Sequence, residues 1–190
     1  MVLPRTSLSI DRGACWNTIK QLAKGVHLLS GLVVMPDEGK SVHFGGTGAI
    51  YKLLGEQTRG TLALVEHTVA PNTLAAPPHT HRDEDEISYV LEGDLTIQVG
   101  EQLIQAPVGT LVVKPRGIQH CFWNAGPAPA RLLEMITPAG LEQYFEELAS
   151  LVSSGGPPDP ARRSALYEKY HLTVDRAKAE VLLEHYHLKF

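Results

Sequence analysis

Hydrophobic and polar residues alternate in short runs through the middle of the chain, and this pattern predicts strands. From about residue 42 to 137, runs rich in Val, Ile, Thr, Leu and Tyr are separated by Gly, Pro and Asp, which is typical of strands joined by tight turns. Many short strands at this spacing indicate a β-sandwich or barrel rather than alternating strands and helices. The predicted strands span residues 49–55, 61–69, 86–92, 95–100, 101–107, 110–115, 119–124 and 130–136.

The period of the pattern changes after Pro138. Apolar residues over 140–153 recur at the three- and four-residue spacing of an amphipathic helix. The sequence SSGGPPDP at 153–160 reads as a linker or turn, followed by a helical stretch over 160–170 and a weaker one from about 175.

The first part of the chain gives a weaker pattern. It is compatible with a short helix over 14–24 and a short strand and turn over 33–39. We therefore divide the chain into an N-terminal extension at 1–31, a β-barrel at 32–138 and a C-terminal helical extension at 139–190.

Composition narrows the class of protein. A chain of 190 residues can bury a sizeable core without disulfides, and its formal net charge of −4 provides no basic face for nucleic acid. Cys15 and Cys121 are too few for a disulfide framework. The apolar stretch 26–35 is too short to span a bilayer. We expect a cytoplasmic protein with no membrane or nucleic-acid partner.

Two histidines are spaced for a strand. In an extended backbone, His79 and His81 project from one face, whereas in a helix they would point about 200° apart. Pro77 and Pro78, just before them, exclude a helix. Both imidazoles can therefore converge on one point.

An acidic run follows these histidines at 83–86. Glu86 opens the next predicted strand, so its side chain has a fixed direction and can lie across the turn from His81. We expect Asp83, Glu84 and Asp85 to face water.

A second segment, GTLVVKPRGIQHCFWN at 109–124, supplies a third imidazole. His120 lies early in a predicted strand, and alternation places Phe122 on the same face and Cys121 on the other. Cys121 is therefore expected to be a packing residue.

The two segments together resemble the motifs of the cupin family. The first motif is Gly, five residues, His-x-His, four residues, Glu, six residues, Gly. The second is Gly, five residues, Pro-x-Gly, two residues, His, three residues, Asn. The chain departs from them only at the leading glycine, where Thr73 stands. The matching residues are His79, His81, Glu86 and Gly93, then Gly109, Pro115, Gly117, His120 and Asn124.

This resemblance implies a mainly β fold, the double-stranded β-helix or jelly-roll barrel, here with a helical C-terminal extension. It implies that His79, His81, Glu86 and His120 are metal ligands, and that the protein is a homodimer. Three imidazoles and one carboxylate suit one divalent transition metal among Fe, Mn, Co, Ni, Cu and Zn, and they leave positions open for a substrate.

The function implied is a metal-dependent dioxygenase, similar to quercetinase-like single-domain cupins, acting on a small phenolic or enolic molecule. Glu86 would be a ligand and a general base, and Ser88, Val90 and Phe122 would form the pocket wall. Two alternatives are a non-redox isomerase, cyclase or lyase that uses the metal as a Lewis acid, and a small-molecule-binding protein without catalysis. Fold alone does not choose among them.

Other polar residues have simpler interpretations. Glu66 and His67 could reach the pocket, but a cross-strand polar pair is the preferred reading. The second His-x-His, at His185 and His187, has no third ligand nearby and reads as a solvated tail.

Overall fold

The structure is a computed structural model, and it describes residues 31–36, 38–152 and 159–190. Residues Val34–Phe190 form one compact unit. The helix predicted over 14–24 lies outside the described residues. The strand predicted within 33–39 is not found in the described part of that range, where a turn at Pro36 is the regular feature. No helix among the described residues is long and apolar enough to cross a bilayer.

Six antiparallel strands form the first sheet. Their order across the sheet is β1-β2-β3-β10-β5-β8. The strands are β1 (Ser41–Phe44), β2 (Thr47–Leu53), β3 (Ala63–Val69), β5 (Asp85–Glu92), β8 (Leu111–Lys114) and β10 (Ala130–Thr137).

Five antiparallel strands form the second sheet, in the order β11-β4-β9-β6-β7. They are β4 (Thr73–His81), β6 (Leu95–Val99), β7 (Gln102–Ala106), β9 (His120–Asn124) and β11 (Leu172–Val174). The two sheets make the fold mainly β, as predicted. Among the described residues, however, hydrogen bonding does not join the sheets into a closed barrel.

Three helices follow the strands at the C-terminal end. They are α1 (Glu142–Val152), α2 (Pro160–Lys169) and α3 (Arg176–His185), and each matches a predicted helical stretch. Asp159 and Asp175 cap α2 and α3 by accepting a hydrogen bond from a backbone N–H of the first turn.

All eight predicted strands are present. Strands β1 and β11 were not predicted, and within β4 only the extended backbone at His79 and His81 was expected. The β4 sequence TLAAPPHTH contains two prolines and little alternation, so its pattern does not indicate a strand. Its pairing with β9 is irregular, with register shifts between Leu74 and Ala76 and between Ala76 and His79. The irregular stretch includes both prolines, which cannot donate to a regular ladder.

The interior between the sheets is divided along its length. One half holds an apolar cluster that includes Val90, Leu95, Ile97 and Leu132. Alternation in each strand supplies it, since every second side chain of β10 is buried. The other half holds polar side chains and a cavity.

The C-terminal segment is joined to the second sheet. Strand β11 pairs with the end of β4, placing Leu172 opposite His81 and Val174 opposite His79. Further along, Lys189 exchanges backbone hydrogen bonds with Asn72 and Leu74. Residues on both sides of the last helix therefore pair with the strand that carries two of the predicted ligands.

Asn124, the last residue of the second motif, stabilises a turn. Its side-chain amide donates to the carbonyl oxygens of Val69, Ala70 and Ala128 at 2.8–3.2 Å, and its Oδ1 accepts from the Gly126 N–H at 2.9 Å. The residue is 1% exposed, so water cannot replace these bonds.

We predict that Asn124→Ala lowers the free energy of unfolding by about 2–3 kcal/mol, because it leaves buried carbonyl groups without donors. Urea denaturation measures this loss. Gln102→Ala, at an exposed position of β7, is the control and should change stability by no more than about 0.5 kcal/mol. Equal stabilities for the two variants would contradict the role given to Asn124.

Candidate metal centre

The four predicted ligands lie together between the sheets. His79 and His81 come from β4 and His120 from the neighbouring strand β9, whereas Glu86 comes from β5 in the opposite sheet. One potential ligand atom from each residue lies within 4.8 Å of all the others. All but His79 are buried. The cluster could hold a metal ion.

Backbone carbonyl groups orient two of the imidazoles. His79 Nδ1 lies 2.7 Å from the Pro77 oxygen, and His120 Nδ1 lies 3.0 Å from the Ile118 oxygen. A carbonyl oxygen only accepts, so each Nδ1 carries the proton and each Nε2 offers a lone pair. Burial lowers the pKa of both histidines, that of His79 to well below its usual value. Both rings are therefore neutral, as metal ligands must be.

The Nε2 atoms point toward one another. His79 Nε2 lies 3.0 Å from His81 Nε2, and His120 Nε2 lies 3.1 Å from Glu86 Oε2. Inward-facing lone pairs and a carboxylate repel one another unless a proton or a cation lies among them. This donor set, three imidazole nitrogens and one carboxylate, fits a divalent transition metal.

A buried lysine contacts the carboxylate ligand. Lys114 on β8 is fully buried, and its Nζ lies 2.8 Å from Glu86 Oε2. Burial alone would raise the pKa of Glu86, but nearby positive charge, above all the Lys114 ammonium, outweighs it and lowers that pKa well below its usual value. Glu86 is therefore ionised and, in this setting, a weak base.

A second buried carboxyl group, that of Glu134, also contacts Lys114. Glu134 on β10 accepts a hydrogen bond from Lys114 Nζ at 2.7 Å and from Ser88 Oγ at 3.0 Å. Burial raises the pKa of Glu134, although Lys114 opposes the shift. Glu134 is thus a second buried carboxyl group beside the candidate ligands, with Lys114 as its charged partner.

The three acids of the turn have different surroundings. Asp83 is exposed and pairs with Arg82, while the Asp85 carboxylate accepts hydrogen bonds from the backbone and guanidinium of Arg116. The expectation that Glu84 faces water is wrong. Its side chain is 13% exposed, and its Oε2 lies 3.7 Å from His81 Nδ1.

Glu84 is placed to orient His81. Among the described residues, neither His81 Nδ1 nor Glu84 Oε2 has a hydrogen-bond partner, and both atoms are buried. Burial raises the pKa of Glu84. A hydrogen bond donated by His81 would lower that pKa, because it favours the ionised carboxylate. A small movement would give His81 the carboxylate partner that metal-binding histidines commonly have.

A cavity opens next to the ligands. Its volume is about 70 Å³, and His79, His81 and Glu86 form its polar end together with Glu134. The remaining wall is mainly aromatic and aliphatic. It is formed by Phe44, Ala75, Ala76, Pro77, Phe122, Leu141, Tyr144, Phe145, Leu148, Leu172 and Val174, with Thr47 and His67 as further polar members.

Of the three predicted pocket residues, Phe122 lines this cavity. Ser88 lies behind the cavity wall, where it donates to Glu134. Val90 is fully buried in the apolar cluster. Ser88 and Val90 share the inward face of β5 with Glu86, but they lie successively farther from the ligands.

The structure also shows where the remaining residues considered in the sequence analysis lie. Glu66 pairs across strands with Arg131 at 2.8 Å, as preferred, but His67 points inward and lines the cavity. Cys121 packs in an apolar cluster on the opposite face. His185 and His187 are exposed.

Sequence reasoning missed Lys114, Glu134 and Glu84. Lys114 lies on the same face of its strand as Val112 and directly opposite Glu86 in the strand pairing. The sequence alone does not give that register.

A sequence model described as Cupin domain matches residues 65–136. Germin-like protein subfamily 2 member 2 from Arabidopsis thaliana is 38% identical over 93 residues, which are 46% of this chain and 42% of that protein. Over this part of its length the chain is thus similar to cupin proteins. This chain thus spans less than half the length of that relative.

Solved structures of low sequence identity share the cupin fold. KdgF from Halomonas sp. is 15% identical with a TM-score of 0.52, over 60% of this chain and 99% of that one. A predicted oxalate decarboxylase from Thermotoga maritima is 18% identical with a TM-score of 0.53, over 56% of this chain and 99% of that one. At these identities the likeness concerns the fold alone.

We predict that Glu84→Gln weakens metal binding by about tenfold or more, because it removes the charge next to His81 Nδ1. Competition of Zn²⁺ between the protein and a chromophoric chelator measures the affinity. Asp83→Asn, in the same turn, is the matched control and should leave the affinity unchanged. If the two variants bind Zn²⁺ equally well, Glu84 does not orient the ligand.

Proposed function

We propose that the protein is a metal-dependent enzyme that acts on a small phenolic or enolic molecule, with dioxygenase activity as the first candidate. The observation that carries this proposal is the position of His79, His81 and Glu86, three members of the ligand cluster, at the polar end of a cavity with otherwise mainly apolar walls. A bound redox-active divalent ion would supply Lewis acidity and access to dioxygen chemistry there.

The chain's own residues would bind and orient the substrate. Phe122 and Phe145 both line the wall, and aromatic side chains suit a planar molecule. The largely apolar wall excludes water, so polar contacts at the ligand end are strong. An oxygen atom of the substrate would be held at that end, and its ring would face the aromatic wall.

The cavity volume limits substrate size. About 70 Å³ is well below the roughly 300 Å³ of the smaller pockets that enclose drug-sized ligands. We therefore propose a single-ring or similarly small substrate. A three-ring flavonol would require α1, which contributes Tyr144, Phe145 and Leu148 to the wall, to move outward.

Proton transfer is assigned to Glu134 rather than Glu86. Lys114 and His120 already contact Glu86 Oε2, which supports a role as ligand and not as base. Glu134 lines the cavity, and burial raises its pKa above the usual value of a carboxyl group, toward the range in which a group both accepts and donates protons efficiently at neutral pH.

The second candidate is a non-redox isomerase, cyclase or lyase. Glu134 favours it, because an acid–base group beside a Lewis acid is sufficient for proton transfers without an oxidant. We also propose that the protein is a cytoplasmic homodimer without membrane or nucleic-acid partners. The domain boundaries at residues 31 and 138 are proposed as well.

Metal content tests the site. We expect protein purified after growth with Fe, Mn, Co, Ni, Cu and Zn to carry an equimolar amount of one of them, because the donor set favours such an ion. His81→Ala should lose it, whereas His185→Ala, which alters an exposed histidine on α3, should retain it. Metal-free native protein would contradict both enzymatic proposals and leave a binding protein.

Oxygen dependence separates the two candidates. We expect catechols and small 1,3-diketones to be consumed with matching oxygen uptake, and flavonols to react more slowly because of their size. A Clark electrode with product analysis measures both quantities. Turnover that is unchanged under argon would contradict the dioxygenase and support the non-redox enzyme.

A further inference from the structure

Three strands place a row of charged side chains beside the ligand carboxylate. Strand β5 lies between β8 and β10, and in the strand pairing Lys114 is opposite Glu86 while Glu134 is opposite Ser88. Lys114 Nζ bridges the two carboxylates, at 2.8 Å from Glu86 Oε2 and 2.7 Å from Glu134 Oε2. All three charged groups are almost fully buried.

The position of Lys114 is costly for the fold. Leu111 and Val113 of the same strand are more than half exposed, while Lys114 is completely buried. An ammonium group loses its hydration there, and a buried ion pair is often no more stable than an apolar replacement. Stability alone therefore does not account for a lysine at this position.

The contacts of Glu86 indicate what the lysine does. One oxygen of this carboxylate, Oε2, lies 2.8 Å from the Lys114 ammonium and 3.1 Å from His120 Nε2, whereas Oε1 lies 3.6 Å from His81 Nε2. Lys114 Nζ lies within ion-pair distance of both carboxylates, so these two groups favour its ammonium form and place a positive charge near the ligand cluster.

We propose that Lys114 is a positioning residue that restrains Glu86 to one ligand oxygen and thereby keeps a coordination position free for substrate. This inference rests on the proposed metal site. Glu134 has a matching role, because it draws the ammonium away from Glu86 and neutralises its charge.

Substituting Glu134 and then Lys114 should change the affinity for Co²⁺ in opposite directions. In Glu134→Gln, Lys114 loses one carboxylate and holds Glu86 more strongly, so Co²⁺ should bind about tenfold more weakly than to the native protein. In Lys114→Met combined with Glu134→Gln, Glu86 is released and a nearby positive charge is removed. Co²⁺ should then bind at least about tenfold more tightly than to Glu134→Gln.

Absorption by bound Co²⁺ reports the coordination number. Visible bands weaken as the number of ligands rises, because they are most intense in tetrahedral sites and least intense in octahedral ones. We expect weaker bands in the double variant than in Glu134→Gln, as Glu86 offers both oxygens. A substitution that merely loosens the fold would lower the affinity instead.

The closing experiment titrates Co²⁺ into the native protein, Glu134→Gln, and Glu134→Gln combined with Lys114→Met or Lys114→Gln. In Lys114→Gln the side chain can still donate a hydrogen bond to Glu86 but carries no charge. This substitution should therefore raise the affinity for Co²⁺ without weakening the bands. Lys169→Met, which changes an exposed lysine, is the control and should alter neither quantity.

Each outcome decides the proposal. If the 114 variants bind Co²⁺ no more tightly than Glu134→Gln, with bands of equal intensity, Lys114 is structural and the inference fails while the metal site stands. If Lys114→Gln and Lys114→Met give the same bands, the lysine acts by charge alone and positioning is refuted. Native protein that does not bind Co²⁺ overturns the inference together with the proposed function.

Discussion

The ammonium group of Lys114, held between two buried carboxylates, constrains the structure around it. Its contacts join three adjacent strands, and both carboxylates have Lys114 as a charged partner. A shift of one residue in the register of β8 would turn Lys114 outward and leave Glu86 and Glu134 buried without a counter-ion. The ion pairs of Lys114 with Glu86 and Glu134 therefore specify the strand register more strictly than the surrounding apolar side chains can.

The candidate metal centre combines contributions from both sheets. The five-stranded sheet supplies three imidazoles, and the six-stranded sheet supplies the ligand carboxylate and the charged row behind it. The distance between these two sets depends on how the sheets pack. That packing is maintained by the apolar cluster in the other half of the interior, where Val90 and Leu132 are fully buried. Core packing and ligand geometry are thus linked, although they involve different residues.

Much of this arrangement could be predicted from the sequence, because it depends on local spacing. The strands with clear alternation and the four candidate ligands follow from strand parity and two motifs. Lys114 and Glu134 could not be predicted in the same way. In LVVK and LLEMI, apolar residues occupy both faces of the strand, so alternation does not say which face is inside. Strand β4 escaped prediction because its regularity comes from its neighbours and not from its own residues.

The contact between β11 and β4 affects the order in which the site can assemble. During synthesis, the strand bearing His79 and His81 is followed by about 40 residues before β9 can pair with one edge. Its other edge at these histidines is completed by Leu172–Val174, about 90 residues later. A nascent chain thus exposes an unpaired strand edge next to the ligands for much of its elongation. His79 and His81 therefore acquire their final surroundings only after β11 has been synthesised.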